Sequence, residues 1–205
     1  MTASGNASVT LSEHLVAAAD SLLDDLPLRA LTTRRIAERA GVSDGVLYNH
    51  FPDKTALLLA ALIRRYGRLV DRFELAAPPV GQGGVAGRLK GFASALADLE
   101  ADALVLGAGL LADPELLERF WAEIHRLPFG VGRLRQPLID YLEGERATGR
   151  IDPDADVEAV TTLVFGASGI TALTRRLNPH LDRSGPDAAL DAAIDVIVTG
   201  IASRP

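Results

Sequence analysis

Residues 32–54 read TTRRIAERAGVSDGVLYNHFPDK, and the spacing inside that stretch decides the fold. Thr32 or Thr33 starts a short helix, and Gly41 ends it, because glycine takes left-handed backbone without a steric penalty. Ser43 is a good N-cap for a second short helix running to about Phe51. Pro52 and Asp53 break the chain and cap a long helix ending near Phe73. At about 100° per residue, Leu47 and Phe51 fall on one side, facing Ile36, Ala37, Ala40 and Val42. Gly45, Val46 and Asn49 form the opposite arc, flanked by Tyr48 and His50. Two short helices, one tight turn and a free polar side make a helix-turn-helix.

That free side carries the parts that double-stranded DNA requires. The major groove admits an α-helix, whose N-terminal residues meet base edges. Donors on both sides of the helix fix its register on phosphates, and Tyr48 and His50 have that chemistry. Thr33 adds a hydroxyl at a helix start, where free N–H groups favour anions, and Lys54 adds a positive charge. Gly45 permits close backbone approach, Val46 suits a thymine methyl, and Asn49 suits a base or a phosphate. Asp44 matches the helix N-terminus but is repelled by phosphate unless it accepts from cytosine. Each residue also has a plainer reading: Ser43 as a cap, Tyr48 as packing against the first helix.

The net charge of −6 speaks against nucleic acid, but its distribution does not. Pro27 to Arg72 holds nine Lys/Arg (29, 34, 35, 39, 54, 64, 65, 68, 72) against four acids (Glu38, Asp44, Asp53, Asp71), a surplus of five that leaves the remainder acidic. A basic module on an acidic body fits a protein of which one part meets phosphate. A solvated basic face fits equally well.

Taken together, TTRRIAERAGVSDGVLYNHFPDKTALL resembles the N-terminal DNA-binding domain of the tetracycline-repressor (TetR) family. The Thr before Ile-Ala, the Ala-Gly-Val-Ser turn, Gly followed by Leu-Tyr, His-Phe, and Lys before an apolar helix carry the match, over about the first third of the chain. The resemblance implies an all-α homodimer that binds a palindromic operator in double-stranded DNA, represses transcription and is released by a small-molecule effector. By position it implies DNA-backbone contacts at Thr33, Ser43, Tyr48, His50 and Lys54, with Arg34 in the same DNA-binding set, and groove contacts at Asp44, Gly45, Val46 and Asn49. Val46 stands where the family usually has a hydroxyl.

Outward from the motif, Thr10 and Glu13 have capping-box spacing, and Leu11, Leu15, Ala19, Leu22, Leu23 and Leu26 follow a helical period up to Pro27. The stretch AAPPVGQGGVAG, 76–87, reads as a loop or boundary. Apolar helical segments follow at about 86–100, 102–112, 114–145, 154–176 and 186–202. Pro128 and Gly130 kink or break the third, and Pro186 suits the first turn of the last. The expected division is 1–54, the helix-turn-helix domain, and 55–205, a helical ligand-binding and dimerisation domain joined through the long fourth helix.

Gly166, Ala167, Ser168 and Gly169 interrupt an apolar helix. Glycine there costs about 1 kcal/mol relative to alanine, which close approach of another helix would explain. Leu190, Ile194, Ile197, Val198 and Ile201 line the last helix. Packing of both helices on their copies would make a four-helix dimer interface; ordinary intrachain core helices are the competing reading. Phe92, Leu96, Trp121, His125 and Phe165, with Phe129 nearby, suit an apolar small-molecule cavity, or merely the core.

Hydrophobic residues make up 48% of the 205 and charged residues 23%, enough for a sizeable core, and aromatics are sparse at 5%. The absence of cysteine excludes disulfides and thiolate metal sites. No signal peptide is expected at the N-terminus and no membrane span in the chain, so a soluble, cytoplasmic protein is expected. Catalysis finds little support: GQGGVAG follows no strand, GASGI lacks Gly-x-Ser-x-Gly spacing, and Asp154 and Asp156 look like helix-start caps. His14, His125 and His180 lack ligand-spacing partners, and no cofactor is expected. The alternative is a helical small-molecule-binding protein or enzyme whose helix-turn-helix is a remnant.

Overall fold

The computed structural model describes residues 3–74, 78–127, 132–178, 180, 182 and 184–202, with side chains from Leu11 onward. Among them the chain forms α1 (Ala3–Asp25), a 3-10 turn (Leu28–Ala30), α2 (Thr33–Ala40), α3 (Asp44–His50), α4 (Lys54–Glu74), α5 (Val85–Leu111), α6 (Pro114–Ile124), α7 (Gly132–Ala147), α8 (Val157–Leu177) and α9 (Ser184–Ile201). No strand occurs among the described residues. A lone bridge joins Ile151 to Ala202, with Asp152 N–H donating to Ile201 O at 2.8 Å. The all-α expectation therefore holds.

The helices group into two compact units, Met1–Arg68 with Leu106–Leu127, and Leu69–Val105 with Pro128–Pro205, so α4 and α5 contribute to both. In the first unit Leu15, Ala19, Leu31, Ile36, Leu57 and Leu62 are fully buried, with Leu116, Phe120 and Ile124 of α6. The edge of Phe120 meets the Tyr66 ring at 5.9 Å between centroids. The second unit is built on Leu89, Phe92 and Leu96 of α5, Leu138, Tyr141 and Leu142 of α7, Val160 and Val164 of α8, and Leu190 and Ile194 of α9. Glu145 of α7, fully buried, accepts from Gly81 N–H at 2.8 Å and pairs with Arg150 at 3.2 Å, tying the loop before α5 to the end of α7.

Several boundaries differ from the sequence reading. α1 begins at Ala3, so Thr10 lies inside it and not at its start; Thr-x-x-Glu spacing is equally compatible with a helix interior. The segments expected at 86–100 and 102–112 run together as α5. Asp102 interrupts the apolar pattern only by pointing outward to Arg72, 2.9 Å away. The segment expected at 114–145 is divided into α6 and α7; Pro128, Phe129 and Gly130 lie outside the described residues.

α8 also corrects the expectation that no stretch matches a membrane span. Within its 21 residues an 18-residue stretch reaches a mean hydropathy of 1.4, long and apolar enough by length and composition. It is nevertheless packed on α7 and α9 and buries Thr161, Ser168 and Thr171. Close helix approach within the chain does not explain its glycines. A Cβ at Gly166 would meet nothing within 4 Å, and one at Gly169 would meet only the Glu100 carboxylate, in ordinary contact.

Candidate nucleic-acid interface

The helix-turn-helix forms as its spacing requires. Thr32 caps α2, its side chain accepting from Arg35 N–H at 3.3 Å. Gly41 follows with φ 68°, and Val42 N–H donates back to Ala37 O at 3.0 Å, closing the helix end. An alanine at 41 would be strained in this left-handed conformation. Ser43 holds the N-cap position of α3, but its side chain makes no capping bond, so the sequence reading of it as a hydroxyl cap is corrected. The first α3 turn closes through the backbone, Val46 N–H to Ser43 O at 3.0 Å. Asp53 does cap α4, accepting from Ala56 N–H at 2.6 Å.

α3 is anchored along one edge. Leu47 is buried beneath it, as are Ile36, Ala37 and Ala40 on α2, the helix that α3 packs with. His14 of α1 bonds the Ala40 carbonyl through Nε2 at 3.1 Å, fixing the end of α2 just before the turn. The other edge is open. Ser43, Asp44, Gly45, Tyr48 and Asn49 are exposed, and Val46 and His50 are half-buried. Tyr48 is 60% exposed, which rules out packing against α1 as its role. A Cβ at Gly45 would project into empty space. Thr33 and Lys54 are half-buried at the starts of α2 and α4, and Arg34 is exposed, held by Glu38 at 2.8 Å on the same helix. Among the chosen residues, those on α3 therefore share one solvent-facing surface.

The electrostatic expectation needs revision. The basic surplus from Pro27 to Arg72 came from a window that left out the acidic end of α1. Residues 1–68 hold eight Lys/Arg (29, 34, 35, 39, 54, 64, 65, 68) and seven Asp/Glu (13, 20, 24, 25, 38, 44, 53), close to balance. Asp20, buried on α1, gathers Arg65 at 2.9 Å, Arg64 at 3.6 Å and Arg68, all on α4. Arg65 also reaches Asp24 and the Asp20 carbonyl, and Arg39 pairs with Asp25. Burial pushes the Asp20 carboxyl up, but the hydrogen bonds and charges of Arg68 and Arg65 outweigh it and hold it below the usual range. These arginines brace the frame. Lys54, Arg29 and Arg35 make no ion pair among the described residues.

The five residues chosen for an effector cavity do not come together in one unit. Phe92 and Leu96 are buried in the second unit, where Phe92 packs on Phe73 at 5.0 Å between centroids. Phe165, half-buried on α8, lies under the Arg135 guanidinium at 5.6 Å. Trp121 and His125 belong to the first unit and stand side by side, centroids 6.1 Å apart, but on an exposed face. An open apolar feature of the second unit lies on the two helices chosen for dimerisation. It is a groove of about 560 Å³ between α8 and α9, lined by Leu163, Gly166, Ile170, Ala193, Val196 and their neighbours. Leu163, Ile170 and Val196 are each more than half exposed there, and so is Leu177 at the end of α8. Sequence reasoning missed Asp20, whose partners lie more than 40 positions away, and Glu100, discussed below.

Comparison with known proteins agrees with this architecture. Residues 15–61, from α1 into α4, match the family described as bacterial regulatory proteins, tetR family. The chain is 30% identical to the class A tetracycline repressor protein from transposon 1721 of Escherichia coli over 199 residues, 93% of this chain and 89% of that protein. Among solved structures, a TetR-family transcriptional regulator of Mesorhizobium loti superposes with a TM-score of 0.73 at 19% identity, over 95% of this chain and 98% of the other. The transcriptional regulator FadR of Bacillus subtilis, solved in complex with stearoyl-CoA, does so at 0.60 and 21%, over 92% and 98%. An anchored turn, an open second helix and a relative matched along nearly its whole length carry one conclusion: this chain is a DNA-binding transcriptional regulator and belongs to the tetR family.

Proposed function

We propose that the protein acts in the cytoplasm as a homodimeric repressor. It holds a palindromic operator until a small apolar or aromatic ligand enters its helical body, and it has no catalytic role and no cofactor. Residues 1–54 form the reading head, and 55–205 the ligand-binding and dimerisation body. Ser43, Tyr48 and His50 donate to phosphates with Thr33, Arg34 and Lys54, while Asp44, Gly45, Val46 and Asn49 face the groove. The observation that carries this reading is the 60% exposure of Tyr48 on a helix whose opposite edge is anchored. A large aromatic side chain left in water beside the open Gly45 surface suits a partner that supplies the missing contacts.

Dimerisation through α8 and α9 is supported by their exposed aliphatic side chains and by the open space at Gly166, which leaves room for a second copy. Two copies would hold their α3 helices about one DNA turn apart, roughly 34 Å. A ligand shifts that spacing only by its difference in affinity for the two states. The repressor name of the E. coli relative and the stearoyl-CoA bound by the B. subtilis structure support ligand-responsive repression.

A mobility-shift assay with DNA upstream of the protein's own gene tests the reading. Specific binding that weakens as salt rises is expected. Tyr48→Ala or Lys54→Ala is expected to weaken it about tenfold and to flatten the salt dependence by about one phosphate contact. Equal affinity for random sequence would sink it.

A further inference from the structure

Three acidic residues alternate along α5, Asp98, Glu100 and Asp102. Asp98 and Asp102 lie one turn apart and are each met by an arginine, Arg175 at 3.0 Å and Arg72 at 2.9 Å. Two positions along a helix turn the side chain by about 200°, so Glu100 points the other way. It points toward α8, where its carboxylate lies against Gly169; a Cβ there would sit 3.6 Å from Oε2 and 3.8 Å from Oε1. Oε2 is closed off from solvent and has no hydrogen-bond partner among the described residues.

α8 contributes a second polar atom in the same condition. Thr161 and Ser168 are two turns apart and share a face. Both are fully buried. Ser168 Oγ donates to Ala93 O on α5 at 3.0 Å, while the Thr161 hydroxyl has no partner among the described residues. Neighbouring Thr162 and Thr171 donate to carbonyls one turn back on their own helix, so the lone state is particular to Thr161. Leu96 is one turn from Glu100, and Phe165 one turn from Thr161, on the same two helices.

We propose that Glu100 is the polar anchor of the effector site, and that it takes a cationic amine or amidine group borne on an apolar or aromatic body. This deepens the ligand-responsive reading and rests on it. A half-buried carboxylate with one oxygen shut off from water and no counter-charge is disfavoured, and folded proteins ordinarily pair such a group. The charges on nearby elements are committed elsewhere: Arg175 and Arg72 to the outer acids, and Arg135 of α7 to Glu158 at 3.0 Å. Desolvation raises the Glu100 carboxyl to about 7. An ammonium group seated beside it supplies the missing donors and counter-charge, and favours loss of the carboxyl proton. The Thr161 hydroxyl, about 12 Å along α8 from Gly169, is a second unpartnered polar atom on that helix and not a contact of the same ammonium group. An anionic ligand meets repulsion, and a neutral one forgoes the charge.

Three probes on one skeleton test this with the full chain: 3-phenylpropylamine, 3-phenylpropanol and 3-phenylpropionate. Calorimetric titration at pH 7, in two buffers of different ionisation enthalpy, reads affinity and proton exchange together. The amine is expected to bind at least tenfold tighter than the alcohol, with the propionate weakest, and to release about half a proton. Glu100→Gln is expected to abolish the amine's advantage over the alcohol and the proton release. An amine that binds no tighter than the alcohol, or not at all at millimolar concentration, overturns the proposal, as does a preference that survives Glu100→Gln. The wild-type probe series decides even if the variant fails to fold. Operator binding by the ligand-free protein separates the two readings. If it is present and the amine fails, only the anchor is lost; if it is absent, the regulator reading falls and takes the anchor with it.

Discussion

Asp20 and Glu100 both sit on long helices, yet among the described residues three arginines meet the one carboxylate and none meets the other. Their titrations run in opposite senses. The Asp20 carboxyl is held below its ordinary value, so its contribution to stability is present above the unfolded value and lost as pH falls through the folded one. The Glu100 carboxyl is raised from 4.5 to about 7, so its penalty is absent below 4.5 and grows as pH rises toward 7. The first arrangement suits a frame that holds α1 and α4 in fixed register beneath the helix-turn-helix. The second leaves an unmet demand inside the body, a feature a ligand can exploit and a frame cannot.

The largest expected effect comes from breaking the met carboxylate. Asp20→Ala strands Arg65 and is expected to cost about 3 kcal/mol at pH 7 in urea unfolding of the first unit. The gap from wild type should begin to narrow below about pH 4, where the carboxyl protonates in the unfolded chain, and close as pH falls through the lower folded value. A loss under about 1 kcal/mol would mean that the three arginines are solvated neighbours and not a brace. Glu100→Gln should act with the opposite sign. A stabilisation of about 2 kcal/mol is expected at pH 8, after allowance for partial exposure, falling to none near pH 4.5. A destabilised Gln variant at pH 8 would show that Glu100 has a partner after all.

Smaller effects sharpen the contrast within the Asp20 cluster. Arg65→Met removes a side chain that is 19% exposed and bonds a buried carboxylate and a carbonyl, and is expected to cost about 2 kcal/mol. Arg64→Met removes a half-exposed partner at 3.6 Å and should cost less than about 0.5 kcal/mol. Asp102→Ala, in an exposed pair with Arg72, should fall within about 0.5 kcal/mol of wild type, the baseline against which Glu100 is judged. Chemical denaturation of the three variants side by side checks the order.

What was legible in the sequence was local. The turn at Gly41, the cap at Thr32 and the inward edge at Leu47 follow from spacing within about twenty residues, and the open face of α3 follows from them. Long-range pairing was not legible. Asp20 meets its arginines across 44 to 48 positions, so a charge window opened at Pro27 reported a basic module where the folded unit is nearly balanced. α5 was read as two segments, 86–100 and 102–112, but runs unbroken from Val85 to Leu111, with Asp102 facing outward to Arg72. Glu100 was within reach, since acids at alternate positions of a helix cannot all face water on one side. The residues chosen for a cavity fall in two units because periodicity marks what is apolar, not which residues share a neighbour; Trp121 and Phe92 carry the same apolar signal in different units.

The brevity of α3 sets a limit on its discrimination. Seven residues rise about 10 Å, the height of roughly three stacked base pairs. A word of three letters recurs by chance roughly every sixty base pairs, so a single copy can recognise a dialect of DNA but not one address in a chromosome. Spelling an address requires the word to be read twice at a fixed interval, which makes the interval itself, set outside the reading helix, part of the message.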